Sequence, residues 1–280
     1  MSGESSSTSA STLRTDVRLA LESLERPFAS HTSITSDLSI DEELNLHAVG
    51  WQPVELVSGV SAFSVASGLW NWGQGEIVGA IRAHENAFSH AILRLQQDAA
   101  RAGGHGVVGV RVERAVHPTF VEVSLVGTAV RPIGTSTIES SNVFTSDLSG
   151  RDFALLDAAG WHPLGLAHGA SFVYAPRRQM GAVLSQQSQN VELTNFTNAI
   201  YTAREAAMER LQGIALSLAG TGIVQVQVVE GPMSFASHAI GFATWGTVVR
   251  LTRETHQRMH PQMVLSMNDR TVSFEAATLR

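Results

Sequence analysis

One stretch of this sequence occurs twice, and a repeat constrains architecture before any local propensity is weighed. SDLSIDEELNLHAVGWQPVELVSGVSAF, from Ser36, answers to SDLSGRDFALLDAAGWHPLGLAHGASFV, from Ser146. Asp37 aligns with Asp147, Gly50 with Gly160, Trp51 with Trp161 and Pro53 with Pro163, all at an offset of 110. Arg94-Leu95-Gln96 then matches Arg210-Leu211-Gln212 at 116, and Gly127-Thr128 matches Gly246-Thr247 at 119. Three matching blocks in one order are not coincidence. The offset grows in two steps, before the long helix and within the last hairpin, where loops absorb insertions.

Each copy reads as the same unit. Ser39-x-x-Glu42 is a capping box that opens a short helix, and Gly50 sits where a left-handed residue closes it. Ser149-x-x-Asp152 and Gly160 repeat that logic. A strand is predicted over Val54 to Val65 and again over Leu164 to Tyr174. A long helix follows, from about Glu76 to Ala102 and from about Glu192 to Ala219. Its apolar face is Ile77, Ile81, Phe88, Ile92, Leu95, Ala99 and Ala102 in the first copy. In the second copy it is Leu193, Phe196, Ile200, Ala203, Ala207, Leu211, Ile214 and Leu218. A strand pair completes the unit, with Val108, Val110 and Val112 answered by Val121, Val123 and Leu125. Val224, Val226 and Val228 face Ile240 and Phe242 in the second.

The expected fold is therefore α+β: a β-α-β-β module with a short preceding helix, present twice. One helix on a three-stranded sheet is a thin core that leaves strand edges bare. Pairing those edges with further modules in a ring is the natural remedy. The chain divides into a Ser/Thr-rich tail (1–11), an amphipathic helix (12–35), module 1 (36–131), a linker (132–145), module 2 (146–250) and an extension (251–280). The helix over 12–35 packs on its own module, or tethers the chain to a neighbouring subunit or partner protein.

Composition excludes several functions. Net charge is −6 with only 19 scattered Lys and Arg, against a non-specific grip on nucleic acid. No cysteine is present, which removes disulfides, thiolate metal sites and a cysteine nucleophile. No secretory signal and no apolar run of bilayer length is visible, so the expectation is a soluble cytoplasmic protein without membrane partners. Charged residues make up 16% of the chain, so its surface is covered in part by other subunits or, alternatively, by Ser, Thr and Gly.

The stretch GGHGVVGVRVE (Gly103 to Glu113), behind a helix ending RLQQDAARA and before a strand ending VGTAVR (Val126 to Arg131), resembles the YbjQ-like family. That family carries a heavy-metal-binding label. Its second occurrence here keeps Gly220, Gly222, Ile223 and Val224 but has Gln225 in place of Gly109. The resemblance implies dodecin-like β-α-β-β subunits and ring assembly, with pentamers as the known form.

Candidate chemistry is sparse. Without thiolates, a metal would need His, Asp and Glu, and soft metals favour thiolates. His84 lies on the apolar face of the long helix where the second copy has Ile200, which reads as a core histidine and not a ligand. His90, six residues on, shares no face with it. His105 corresponds to Thr221 and His47 to Asp157, so only a subunit interface could gather such residues. No G-x-S-x-G elbow is present. The glycines around Trp70-Asn71-Trp72-Gly73-Gln74-Gly75 lack the Lys-Ser/Thr of a phosphate loop and read as a loop packing on a neighbour. Glu76 and Glu192 align at helix starts, where a negative charge suits the dipole. Trp51 and Trp161 read as anchors of the short helix on the sheet, with ligand stacking the alternative.

No catalytic residue, cofactor site or metal ligand is assigned. The expectation is a non-enzymatic, homo-oligomeric and pentameric assembly or scaffold protein. The alternative is an oligomer binding a metal or small molecule at its subunit interfaces.

Overall fold

Capping sets where each half begins. In the computed structural model, which describes residues 34–65, 75–117, 119–134, 143–175, 192–232 and 238–252, the first helix α1 spans Ile40–Ala48. Ser39 accepts the Glu42 amide while the Glu42 carboxylate accepts the Ser39 amide, a complete capping box. Gly50 follows at φ +84°, a left-handed turn that suits glycine and starts the next strand. All but the last two residues of the amphipathic helix expected over 12–35, and most of the extension expected over 251–280, lie outside the described residues.

Strand β1 (Trp51–Ser64), strand β2 (Gly75–Glu76), helix α2 (Val78–Arg101) and strands β3 (Gly106–Val116) and β4 (Phe120–Pro132) complete the first half. Strand β5 (Phe144–Thr145), helix α3 (Gly150–Ala158), strand β6 (Trp161–Tyr174), helix α4 (Thr194–Ser217) and strands β7 (Gly222–Pro232) and β8 (Ala239–Leu251) make the second. The two short helices are 9 residues each and the two long ones 24. Irregularities recur at matching positions too. One interrupts β1 and β6 beside Pro53 and Pro163, where a missing amide is tolerated, and another interrupts β3 and β7.

Two four-stranded sheets result, ordered β1-β4-β3-β5 and β2-β6-β8-β7. The long strands pair antiparallel, whereas β5 runs parallel to β3. Each sheet thus borrows a two-residue edge strand from the other half. The segment expected to be only a linker ends in β5, and the open edges expected on every module are partly closed within the chain.

Close approach of helix to strand rests on glycine and alanine. A Cβ on Gly59 would stand 2.1 Å from the Ala91 carbonyl oxygen, and one on Gly169 would stand 2.0 Å from that of Ala207. Helix α2 presses Ala87, Phe88, Ala91, Leu95 and Ala99 onto Val57, Val123 and Leu125. Helix α4 buries Ala203, Ala207 and Leu211, but Leu193 and Leu218 of its expected apolar face are 43% and 37% exposed.

The sheets differ in how they are covered. Along β1 buried and exposed residues alternate, as on a sheet with one covered face. Strand β6 is buried almost throughout. Its Val173 packs with Ala199 and Ala203 of α4, while Ala170 and Phe172 pack with Ile77, Ala80 and Ile81 at the start of α2.

Candidate functional site: the junction of the two halves

Three contacts build this junction. The first is a ring plug. Phe144 of β5 meets Trp51 edge-on at 5.7 Å between centroids and stacks on Phe153 at 5.6 Å. Gly106 leaves room for it, since a Cβ there would fall 2.1 Å from the Phe144 ring. Backbone bonds extend the pairing past β5: Gly109 donates to the Leu148 carbonyl and Val110 to that of Ser146.

The second contact is an ion pair. Both Arg210 guanidinium Nη atoms donate to the Glu76 carboxylate at 2.9 Å, and Ser171 Oγ donates to it at 2.7 Å. Hydrogen bonds and charge from Arg210 hold the Glu76 carboxyl below its ordinary range. Arg210 also faces Glu85 at 3.3 Å and donates to the Ala170 carbonyl. This corrects the capping reading of Glu76. The residue stands in β2, ahead of the helix, whose N-cap is Ile77 without a side-chain cap.

The third contact is the seating of α2 on the outer face of β6. His168 stacks on Phe88 at 4.5 Å, and its Nε2 lies 3.2 Å from Ser89 Oγ. His84 lies 6.5 Å from the His168 ring, fully buried, with neither ring nitrogen hydrogen-bonded. Burial drives the His84 pKa well below its usual value, aided by the Arg114 charge, and lowers that of His168 to about 4. Both are neutral core imidazoles at pH 7.

A polar knot lies alongside. Thr247 Oγ1 accepts the Asp147 amide at 3.0 Å and donates to Oδ1 at 2.5 Å. Thr128 likewise accepts the Asp37 amide, and Arg111 pairs with the Asp37 carboxylate. A cleft of about 230 Å³ opens between them, with Asp37, Arg111, Asp147 and Gln225 in its wall. Burial raises the Asp147 carboxyl to about 6, against the bond from Thr247.

The remaining sequence candidates scatter. His90 is exposed beside Phe63, His105 is buried without a ring partner, and His47 sits 4.0 Å from Glu43 on its own helix. Trp51 is a packing residue, edge-on to Phe144 and Phe153. Glu192 accepts the Thr197 hydroxyl. Trp70 and Trp72 lie outside the described residues. Sequence reasoning missed Phe144, Arg210 and Ser171, which join residues of separate halves. A signal existed for two of them, because Arg210 repeats Arg94 and Ser171 repeats Ser61.

On the far sides, counterparts of the junction surfaces meet no further half among the described residues. Trp161, Leu155, Ile223, Val224 and Val249 line an apolar groove of about 470 Å³ beside β7. Val60 on the outer face of β1 is 44% exposed, and Val226 and Val228 on β7 are 38% and 52% exposed.

The profile of the YbjQ family, described as "Putative heavy-metal-binding", matches residues 54–132. The described residues offer no set of ligands that fits a metal. Among the described residues no three His, Asp or Glu gather to hold one. The buried pair His84 and His168 adjoins the Arg114 cation and aromatic carbon instead. The encapsulin nanocompartment protein Rv1762c of Mycobacterium tuberculosis (strain ATCC 25618 / H37Rv) is 33% identical over 251 residues, spanning 87% of this chain and 95% of that relative. By that likeness over nearly its whole length, the chain belongs to the family of this encapsulin nanocompartment protein.

Proposed function

We propose that the protein is a non-catalytic structural subunit, built of two copies of one YbjQ-like module, whose chains join edge to edge in a closed homo-oligomeric ring serving a nanocompartment. The observation that carries this reading is the unequal treatment of the sheet edges. β3 and β6 are closed by segments of the other half, while β1 and β7 carry no strand on their outer sides among the described residues. Bare edges beside exposed valines are a liability for a lone chain and a template for assembly. Kinship with an encapsulin nanocompartment protein supports the same role. Five chains is the number that the YbjQ-like resemblance implies, which places ten modules in the particle.

Native mass spectrometry and electron microscopy of the purified chain test this. The expected result is one closed species of several chains. Single chains alone, at tens of micromolar in mild salt, would overturn it.

A further inference from the structure

We infer that the interface between neighbouring chains repeats the internal junction, head to tail, with the β7 side of one chain receiving the β1 side of the next. This deepens the ring reading and rests on it. The internal junction joins the β3 side of the first half to the β6 side of the second. Carried over by the repeat offsets, its participants each have a counterpart on an open side of the molecule.

The plug has a matching socket. Phe144 corresponds to Ile34, which is 65% exposed. The residues around Phe144, Trp51, Gly106, Val108 and Val130, correspond to Trp161, Gly222, Val224 and Val249. Those four line the 470 Å³ apolar groove. Ile34 of a second copy fills it, and the neighbouring backbone adds a short parallel strand to β7 as β5 does to β3.

The ion pair recurs as well. Glu76 corresponds to Glu192, Arg210 to Arg94 and Ser171 to Ser61. Arg94 already donates to the Val60 carbonyl, as Arg210 donates to that of Ala170. It is therefore placed to receive Glu192 of the neighbour, with Ser61 beside it. The helix seat is the third match. Ile77 is fully buried on the second sheet, but its counterpart Leu193 is 43% exposed, and Val60, counterpart of the buried Ala170, is 44% exposed. The start of α4 thus covers the outer face of β1 in the next chain. Such a contact is heterologous, so it closes into a ring or runs on as a filament. Each chain supplies two modules, so a closed ring of this kind holds an even number of them.

Glu192→Arg spoils the β7 side, and Ile34→Asp the segment that enters the groove of the next chain. Each variant should keep the circular dichroism of the parent and run as single chains, with a dissociation constant raised at least tenfold. Mixed one to one, they retain one intact face apiece and should form a heterodimer that grows no further. Arg94→Glu, an exposed substitution, stands in for Ile34→Asp should that chain not fold. Combining Glu192→Arg with Arg94→Glu in one chain should restore the parent assembly. If the parent is itself a single chain, the ring reading fails. If the parent assembles and the folded variants assemble equally well, or their mixture forms no heterodimer, the ring stands and this interface is wrong.

Discussion

Gly59 and Gly169 occupy equivalent places and meet the same obstacle, a helix carbonyl where a side chain would otherwise stand. The obstacle is backbone, so no rotamer change relieves it. Gly59→Ala must push α2 off β1 and loosen Leu95 and Ala91 together. Overpacking of this kind costs about 1–3 kcal/mol, and rigid backbone puts it at the upper end. Urea denaturation should show that loss, and a midpoint equal to the parent's would contradict the close approach. Gln225 shows the opposite situation. It adopts φ +54° where its counterpart Gly109 adopts +64°, a conformation that glycine tolerates and glutamine does not favour. Its side chain donates to the Asp147 carbonyl at 3.1 Å, which offsets part of the strain. The glycine difference between the copies was visible in the sequence. The shared left-handed backbone was not, because β3 and β7 share their pairing irregularity and keep one geometry with either residue.

At the scale of elements, β5 is two residues long and has no stability of its own. What holds it is Phe144, 4% exposed among Trp51, Phe153 and Gly106, and the Gln96 side chain donating to the Val143 carbonyl at 2.7 Å. Phe144→Ala empties that socket without altering either half's own helix–sheet core. Large-to-small changes of this type cost about 3–5 kcal/mol. Calorimetry should report a loss of that size, with hydrogen exchange quickening first at Gly109 and Val110, whose amides bond beyond β5. A loss below about 1 kcal/mol would mean the plug is dispensable. Helix and strand positions followed from caps and periodicity, since those signals are local. Strand β5 did not, because two residues have no period.

For the whole molecule, the His84–His168 contact ties acid stability to the junction. Both imidazoles have folded pKa values below the unfolded value of 6.5, that of His168 at about 4. Between those values the unfolded chain binds more protons, so stability is full above pH 6.5 and is lost as pH falls toward 4. Each pH unit in that window removes up to about 1.4 kcal/mol per such histidine. Asp147, raised to about 6 from 3.8, acts in the opposite sense, since its folded carboxyl keeps a proton that the unfolded one releases. Glu85, raised by burial, acts with Asp147. His105 and His162, however, are lowered by burial like His84 and His168, and the lowered carboxyls of Glu42 and Glu76 also lose stability in acid. The balance is a net loss on acidification. Urea midpoints at pH 7 and pH 4.5 should differ accordingly. His84→Leu, which leaves no buried ring nitrogen unpaired, should narrow the gap, and an unchanged gap would place the acid sensitivity elsewhere.

Read alone, the sequence determined the residue matches between the two halves, the capped short helices, the long apolar faces and the absence of thiolate chemistry. Each of these is written in spacing along one segment or in composition. Only the tertiary structure decided which edges close within the chain, that Glu76 bonds Arg210 across 134 residues, and that β6 is buried on both faces while β1 is covered on one. Those outcomes depend on which surfaces of two near-equal units meet, and two units with the same pattern carry no local mark of which side each turns to the other.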